Sequence, residues 1–173
     1  MFLKTYLRLE QTNHIVKQSH LPQGFNAKKI EKPNYEEYRR LHDRVGEPYG
    51  WHKRARIANK PLIHNLISNP DNEIFVFFKN EIEVGYAYIE YTHEEGLEIS
   101  DFGFFPEFTG KGLGHMFFPW LLNKIFEHGF HFCWLSTRST NHPKVSKFYE
   151  SHGFEIYKTE HVHDDGSAIE ADG

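Results

Sequence analysis

Two hydrophobic patterns alternate along this chain of 173 residues and predict its secondary structure. Short segments that are continuously apolar, or apolar at every second position, are typical of β-strands. Segments in which apolar residues recur three and four positions apart are typical of amphipathic α-helices. The first pattern predicts strands at residues 6–10, 25–30, 74–78, 82–91, 97–105, 132–137 and 154–158.

Helix boundaries are marked by residues with known terminal preferences. Asn34 and Glu37 have the spacing of a capping box, which predicts a helix that begins after Asn34 and stops at Gly46. Pro119 lies inside a later helical segment that Gly129 ends, so we expect a kink or a widened first turn there. Besides the first helix, the helical pattern predicts helices at residues 61–68, 113–128 and 141–152.

The order of these elements predicts the fold class. The main elements follow one another as βααβββαβαβ, with residues 25–30 as a further strand candidate. This order is typical of a mixed α/β fold, in which a mostly antiparallel central sheet has helices on both faces. A chain of 20.5 kDa forms one core of ordinary size. We expect a single domain over residues 1–160 and an acidic, flexible tail over residues 161–173.

Composition argues against several classes of protein. No segment approaches the roughly 18 apolar residues of a membrane span, and the first residues lack the apolar stretch of a secretory signal. A net charge of -4 and a pI near 6.3 argue against nucleic-acid binding. The histidines are not spaced as pairs of metal ligands. The single cysteine, Cys133, permits no internal disulfide, so we expect a cytoplasmic protein.

A glycine-rich loop follows the strand that is predicted at residues 97–105. Residues 109–114 read Thr-Gly-Lys-Gly-Leu-Gly and directly precede a predicted helix. Backbone N–H groups in such a loop can converge on a phosphate, and the helix adds the positive end of its dipole. The Walker pattern does not fit, because Gly112 stands where Ser or Thr should follow the Gly-Lys pair. A dinucleotide-binding pattern does not fit either, because it needs glycine at His115 or Phe117.

Two motifs resemble those of a known family. Gly-Lys-Gly-Leu-Gly after Pro-Glu-Phe is similar to the acetyl-CoA signature of the GNAT N-acetyltransferase superfamily, usually written (Gln/Arg)-x-x-Gly-x-(Gly/Ala). Gly112 and Gly114 fall on its glycines, whereas Thr109 departs from its Gln/Arg position. Residues 141–154 resemble the family's Asn-x-x-Ala-x-x-Phe-Tyr-Glu-x-x-Gly-Phe, shortened by one residue before the Phe-Tyr pair. The resemblance covers most of residues 1–160 and implies the GNAT fold.

The resemblance also implies acetyl-CoA as a co-substrate. In this family the fourth and fifth main strands, here residues 97–105 and 132–137, splay apart and admit the pantetheine arm. The acidic end of the chain would leave the family's seventh strand short or absent. Gly103 is interpreted as either a bulge glycine or a functional one, and Asn141 as either a cofactor ligand or a helix N-cap. The expected cofactor-binding residues are Phe102, Gly103, Phe104, Thr109, Gly110, Lys111, Gly112, Leu113, Gly114 and Asn141.

The implied reaction is direct transfer of an acetyl group to a primary amine in a ternary complex. The departing thiolate needs a proton, and the attacking amine must lose one. Tyr149 is expected to donate, because a phenol stays protonated at neutral pH. Glu98 is expected to accept the amine's proton, with Asp101 as its rival. In a regular strand these two carboxylates point to opposite faces.

The acceptor is left open by the sequence. A small-molecule amine, a peptide N-terminus and a lysine side chain all fit the chemistry. The transfer of an acyl chain other than acetyl is also left open. A non-catalytic acyl-CoA-binding or sensing module with the same fold is the alternative to an enzyme, and a homodimer is also left open. The residues expected to shape the acceptor site are Glu47, Tyr49, Trp51, Glu90 and Tyr91.

Overall fold

A computed structural model describes residues 1–15, 20–51, 60–91 and 96–164, together with Ser167 and Ile169. The strands in this part of the chain are β1 Phe2–Glu10, β2 Phe25–Lys29, β3 Glu73–Lys79, β4 Ile82–Tyr91, β5 Gly96–Phe104, β6 Phe132–Arg138 and β7 Glu155–Val162. They form one sheet in the order β2-β3-β4-β5-β6-β1-β7. Neighbouring strands are antiparallel except β5 and β6, which are parallel.

Helices cover both faces of this sheet. The α-helices of the described residues are α1 Tyr35–Gly46, α2 Lys60–Ser68, α3 Leu113–Glu127 and α4 Val145–Ser151. Because successive residues of a strand point to opposite faces, β3 is buried on both sides. Ile74 and Val76 belong to the core under α1 and α2, whereas Phe75 and Phe77 belong to the core under α3 and α4. The predicted fold class is therefore confirmed.

The ends of α1 and α3 follow the sequence signals. Asn34 Oδ1 accepts a hydrogen bond of 2.9 Å from the backbone N–H of Glu37, and α1 ends at Gly46. The helix α3 is continuous through Pro119, and Gly129 follows its end with a φ of 84°. None of the helices in the described ranges is both long enough and apolar enough to cross a membrane.

The last strand is longer than its prediction. The strand predicted at residues 154–158 is β7, which has 8 residues and continues past Lys158 to Val162. The added length has a partner because β1 begins at Phe2 instead of residue 6, and Phe2 pairs with Val162. Val162 is buried at the end of this ladder. Residues 161 and 162 thus belong to the sheet, while residues 165, 166, 168 and 170–173 of the expected tail lie outside the described residues.

The last helix begins later than its pattern predicts. The helix α4 starts at Val145, with Lys144 as its N-cap, whereas the sequence suggested a start at residue 141. The residue before a proline is disfavoured in helical conformation, and Pro143 imposes this restriction on His142. The segment between β6 and α4 is therefore free to place Asn141 in a tertiary contact.

The two parallel strands pair over a short distance. Residues 96–98 of β5 are in register with residues 132–134 of β6, and no further pairs join the two strands within the described residues. The prediction that these strands splay apart is confirmed. The gap lies at the carboxyl ends of β5 and β6, next to the start of α3 and α4.

Candidate active site

A cavity of about 890 Å³ opens where β5 and β6 separate. Residues 98–104 of β5 and residues 135–138 of β6 form two of its walls, and the glycine loop and α4 close its far end. Tyr38 and His42 of α1 contribute to a third wall. Its volume is in the range of sites that bind a ligand of nucleotide or coenzyme size.

The glycine loop borders open space at the cavity's end. Gly110 and Gly112 have φ angles of 72° and 77°, a left-handed conformation that favours glycine. A Cβ atom built at either position meets no other atom within 4 Å. Gly112 is also the N-cap of α3, and no side chain caps this helix. The N–H groups of the first turn of α3 are therefore available to an anion, and the loop fits a diphosphate.

Two other glycines pack closely against side chains of neighbouring helices. A Cβ atom at Gly103 would lie 2.4 Å from Cγ1 of Val45 in α1, and one at Gly114 would lie 3.0 Å from the ring of Phe148 in α4. Gly103 is not a bulge residue, because the irregularity in β5 lies elsewhere. Asp101 pairs with Tyr88 and Ile99 with Ile89, which leaves Ser100 as the extra residue. The interpretation of Gly103 as a bulge glycine is therefore wrong.

The bulge changes the direction of two carboxylates. One extra residue between Glu98 and Asp101 reverses the usual alternation of side chains, and both line the cavity. The expectation that they point to opposite faces is wrong, because the strand is not regular between them. Asp101 is only 4% exposed, and its Oδ2 accepts hydrogen bonds of 3.0 Å from the hydroxyls of Tyr38 and Tyr86.

Tyr149 reaches the cavity from α4. It is 7% exposed, and its ring lies 5.3 Å from that of Phe118 and 6.0 Å from that of Phe154. Burial, and secondarily the charge of Asp101, raise the pKa of Tyr149 well above that of a free phenol. The hydroxyl consequently keeps its proton at any pH at which the protein would work, as a proton donor must.

Asn141 is held by the protein on both sides of its amide. Its Nδ2 donates to Oγ1 of Thr137 at 2.9 Å, and its Oδ1 accepts from Nε1 of Trp51 at 2.9 Å. Because Lys144 is the N-cap of α4, the interpretation of Asn141 as the N-cap of that helix is wrong. Asn141 lines the cavity and fixes Trp51 in the wall beside it.

Two residues of the glycine loop point away from the expected contacts. Thr109 lines the cavity, but its Oγ1 donates a hydrogen bond of 2.9 Å to the carbonyl of Pro106. Lys111 is not among the described residues of the cavity wall, and its ammonium group lies 5.9 Å from the ring of Phe108. The other predicted residues all line the cavity: Glu98, Phe102, Gly103, Phe104, Gly110, Gly112, Leu113, Gly114, Asn141 and Tyr149.

The wall on the side of α1 is aromatic. Of the residues expected at an acceptor site, Tyr49 and Trp51 line the cavity, whereas Glu47, Glu90 and Tyr91 are not among its described lining residues. Sequence reasoning missed Tyr38 and His42, which α1 adds to this wall. Their spacing of four residues on one helix face was the available signal. Among the described residues, no cluster of three or more His, Cys, Asp or Glu side chains is placed to hold a metal ion.

Comparison with protein families gives one match. The model of the family described as "Acetyltransferase (GNAT) family" matches residues 32–154, which include β5, the glycine loop and α4. No curated protein shows significant similarity to the chain.

Solved structures of N-acetyltransferases have a similar fold. A GCN5-related N-acetyltransferase from Kribbella flavida matches with a TM-score of 0.62 at 18% identity, over 92% of this chain and 57% of its own. A GNAT family acetyltransferase from Elizabethkingia anophelis with acetyl-CoA bound gives 0.61 at 14% identity, over 79% of this chain and 80% of its own. The ribosomal-protein-S18-alanine N-acetyltransferase from Escherichia coli matches with a TM-score of 0.59 at 15% identity, over 78% of this chain and 79% of its own. The chain thus spans less than two thirds of the first of these proteins.

Proposed function

Because the chain belongs to the acetyltransferase (GNAT) family, we propose that it transfers the acetyl group of acetyl-CoA directly to a primary amine in a ternary complex. One observation carries this proposal: the glycine loop, the gap between β5 and β6, and the hydroxyl-bearing Tyr149 all border a single cavity. A cytoplasmic location is part of the proposal, since the buried thiol of Cys133 suits a reducing compartment. A single domain over residues 1–160 is also part of the proposal.

Acetyl-CoA would be held mainly by the backbone. The N–H groups of residues 110–114 would receive its pyrophosphate, where Gly112 leaves room and α3 contributes its dipole. The gap between β5 and β6 would take the pantetheine arm, and the backbone of Phe102, Gly103 and Phe104 would border it. When bound, acetyl-CoA supplies a thioester, whose carbonyl carbon is open to attack by an amine. Asn141 would contribute by fixing Trp51 more than by contacting the co-substrate.

The proton transfers assign roles to two kinds of side chain. The acceptor enters as an ammonium ion and loses one proton to solvent, which leaves a lone pair on nitrogen. As this lone pair forms the C–N bond, a β5 carboxylate, from Glu98 or Asp101, takes a second proton from nitrogen. As the C–S bond breaks, Tyr149 gives its proton to the sulfur. A proton that returns from the carboxyl group to the tyrosinate restores both groups, and the products are an amide and free coenzyme A.

The proposal is tested with binding and turnover measured separately. Isothermal calorimetry with coenzyme A tests the cavity, and a thiol assay with acetyl-CoA tests transfer to benzylamine, spermidine, the L-amino acids and a short peptide with a free N-terminus and a lysine. Mass spectrometry identifies each acetylated product. We expect tight binding and amine-dependent thiol release. Binding without transfer to any amine would favour a sensing module, and failure to bind coenzyme A would contradict the proposal.

A further inference from the structure

A buried carboxylate on the α1 side of the cavity has one oxygen available to a ligand. Tyr38 and Tyr86 both donate to Oδ2 of Asp101 at 3.0 Å. None of the hydrogen bonds found among the described residues involves its Oδ1, and Oδ1 is not one of the fully buried, unpartnered atoms of these residues. This oxygen is therefore accessible from the cavity that Asp101 lines, where a ligand can donate a hydrogen bond to it.

The two tyrosines fix the direction of this carboxylate. Tyr38 comes from α1 and Tyr86 from β4, so the donors approach Oδ2 from two separate elements. Both tyrosines are fully buried, and the ring of Tyr38 packs at 5.3 Å against that of Tyr88. A carboxylate held in this way loses little entropy when it binds a ligand. The arrangement is that of a prepared binding group.

Aromatic rings continue from this carboxylate along the same wall. The ring of His42 lies 5.6 Å from that of Tyr38 and 5.3 Å from that of Trp51, and all three residues line the cavity. Aromatic faces attract cations, and an ionised carboxylate does so more strongly. Together they favour an ammonium group with an apolar or aromatic substituent over a neutral or anionic ligand.

Glu98, the second carboxylate of β5, affects tyrosines that lie outside the described cavity wall. Burial is the main cause that raises the pKa values of Tyr6 in β1 and Tyr157 in β7, and the charge of Glu98 adds a smaller contribution. Both tyrosines lie outside the described cavity wall. Burial raises the pKa of Tyr149, and the charge of Asp101 raises it further. Of these two carboxylates, Asp101 is therefore the one whose charge affects the proposed proton donor.

We propose that Oδ1 of Asp101 binds the ammonium group of the acceptor and takes the proton that its nitrogen loses on attack, with Tyr38 and Tyr86 as positioning residues. This rests on the proposed function and names the acceptor as a primary amine with an apolar or aromatic group beside its nitrogen. The bound ammonium ion first releases one proton to solvent, which leaves a lone pair on nitrogen. On attack a second N–H bond breaks and an O–H bond forms at Oδ1. The lone pair of nitrogen forms the C–N bond while the sulfur leaves with the proton of Tyr149.

Binding of benzylammonium tests the subsite without requiring turnover. Calorimetry measures its affinity for the protein saturated with coenzyme A, or for the protein alone if coenzyme A does not bind. We expect Asp101→Asn to weaken binding about 10-fold or more, while the control Glu83→Gln, a strand carboxylate outside the described cavity wall, changes it less than about 3-fold. Benzyl alcohol, which lacks the charge, should bind more weakly than benzylammonium. Equal losses in the two variants, or no binding of benzylammonium to the unaltered protein, would overturn the inference.

Kinetics separate the roles of the carboxylate and of its positioning residues. With the best amine of the panel, Asp101→Asn should lower kcat/KM on the order of 10²-fold, as for loss of a general base. Tyr86→Phe should raise KM for the amine while the affinity for coenzyme A stays the same. A Tyr86→Phe variant that loses affinity for coenzyme A to the same extent would show a purely structural role and contradict the assignment.

Discussion

Tyr149 and Cys133 show what burial does to single ionisable groups. Both side chains lie in the core under α3 and α4, and burial raises both pKa values well beyond their usual range. The thiol of Cys133 is fully buried in β6 and therefore inert as a nucleophile. The hydroxyl of Tyr149 differs because its residue lines the cavity. The same physical effect thus acts on a structural group in one place and on the proposed proton donor in the other.

Removing the hydroxyl of Tyr149 should slow the reaction without weakening binding. We expect Tyr149→Phe to lower kcat about 10²-fold, because the leaving thiolate then loses its proposed proton donor. The dissociation constant of coenzyme A should stay within about 2-fold, since the phenyl ring keeps its contact with Phe118. Steady-state kinetics and calorimetry check the two values.

Tyr6 supplies the matched control for this substitution. It is a tyrosine whose pKa burial also raises, but it is not in the described cavity wall. Tyr6→Phe should leave kcat unchanged. An unchanged kcat in Tyr149→Phe would remove Tyr149 from the mechanism.

At the scale of elements, the glycine loop and α3 form one unit. Gly112 both ends the loop in a left-handed conformation and begins the helix, so the same residue sets the loop's shape and the direction of the helix dipole. Gly129 has a φ of 84° just after the end of the same helix, and a Cβ atom there meets nothing within 4 Å. Both glycines have a left-handed backbone conformation, but of the two only Gly112 lines the cavity.

This difference gives a paired test of the loop. Valine at either position adds a side chain in a left-handed conformation, at a cost of roughly 1–2 kcal/mol in stability. We expect both Gly112→Val and Gly129→Val to lower the melting temperature by similar amounts. Only Gly112→Val should weaken the binding of coenzyme A, by about 100-fold, because its side chain enters the space for the diphosphate. Equal affinities in two folded variants would contradict the assignment of the loop.

The element scale also shows how far the sequence could be interpreted. Local signals predicted most elements, because the cap at Asn34, the stop at Gly129 and the apolar runs act within a few residues. The bulge at Ser100 has no local signal, since it arises from the register between β4 and β5. The length of β7 likewise depends on Phe2, which lies at the other end of the chain. Features that depend on strand pairing were therefore the ones that the sequence did not show.

At the scale of the molecule, the candidate site combines four distant segments. Tyr38, Tyr86, Asp101 and Tyr149 come from α1, β4, β5 and α4, and the sheet brings them to one cavity. Motifs indicated Asp101 and Tyr149, because these residues lie in or beside the two segments that resemble a family. For Tyr38 the sequence offers only its four-residue spacing from His42, and for Tyr86 it offers no signal, since each tyrosine also satisfies the hydrophobic pattern of its element. Their proposed role rests on the tertiary hydrogen bonds to Asp101.

Buried groups with raised pKa values also make the whole fold sensitive to alkali. The unfolded chain releases the proton of Cys133 above about pH 8.5 and that of Tyr149 above about pH 10. The folded state retains both protons, so the stability is fully present below about pH 8.5 and is lost as the pH rises.

Urea unfolding at a series of pH values measures this loss. Each retained proton should lower the free energy of unfolding by about 1.4 kcal/mol per pH unit. Cys133→Ala should remove the slope between about pH 8.5 and pH 10 and leave the slope above it. A stability that is constant from about pH 8 to about pH 11 would contradict the burial of these groups.

A crystal structure of the protein with coenzyme A tests the central claim most directly. The account predicts the diphosphate on the N–H groups of residues 110–114 and the pantetheine arm between β5 and β6, with its sulfur beside Tyr149. A nucleotide bound elsewhere on the surface, with the gap between the two strands empty, would contradict it.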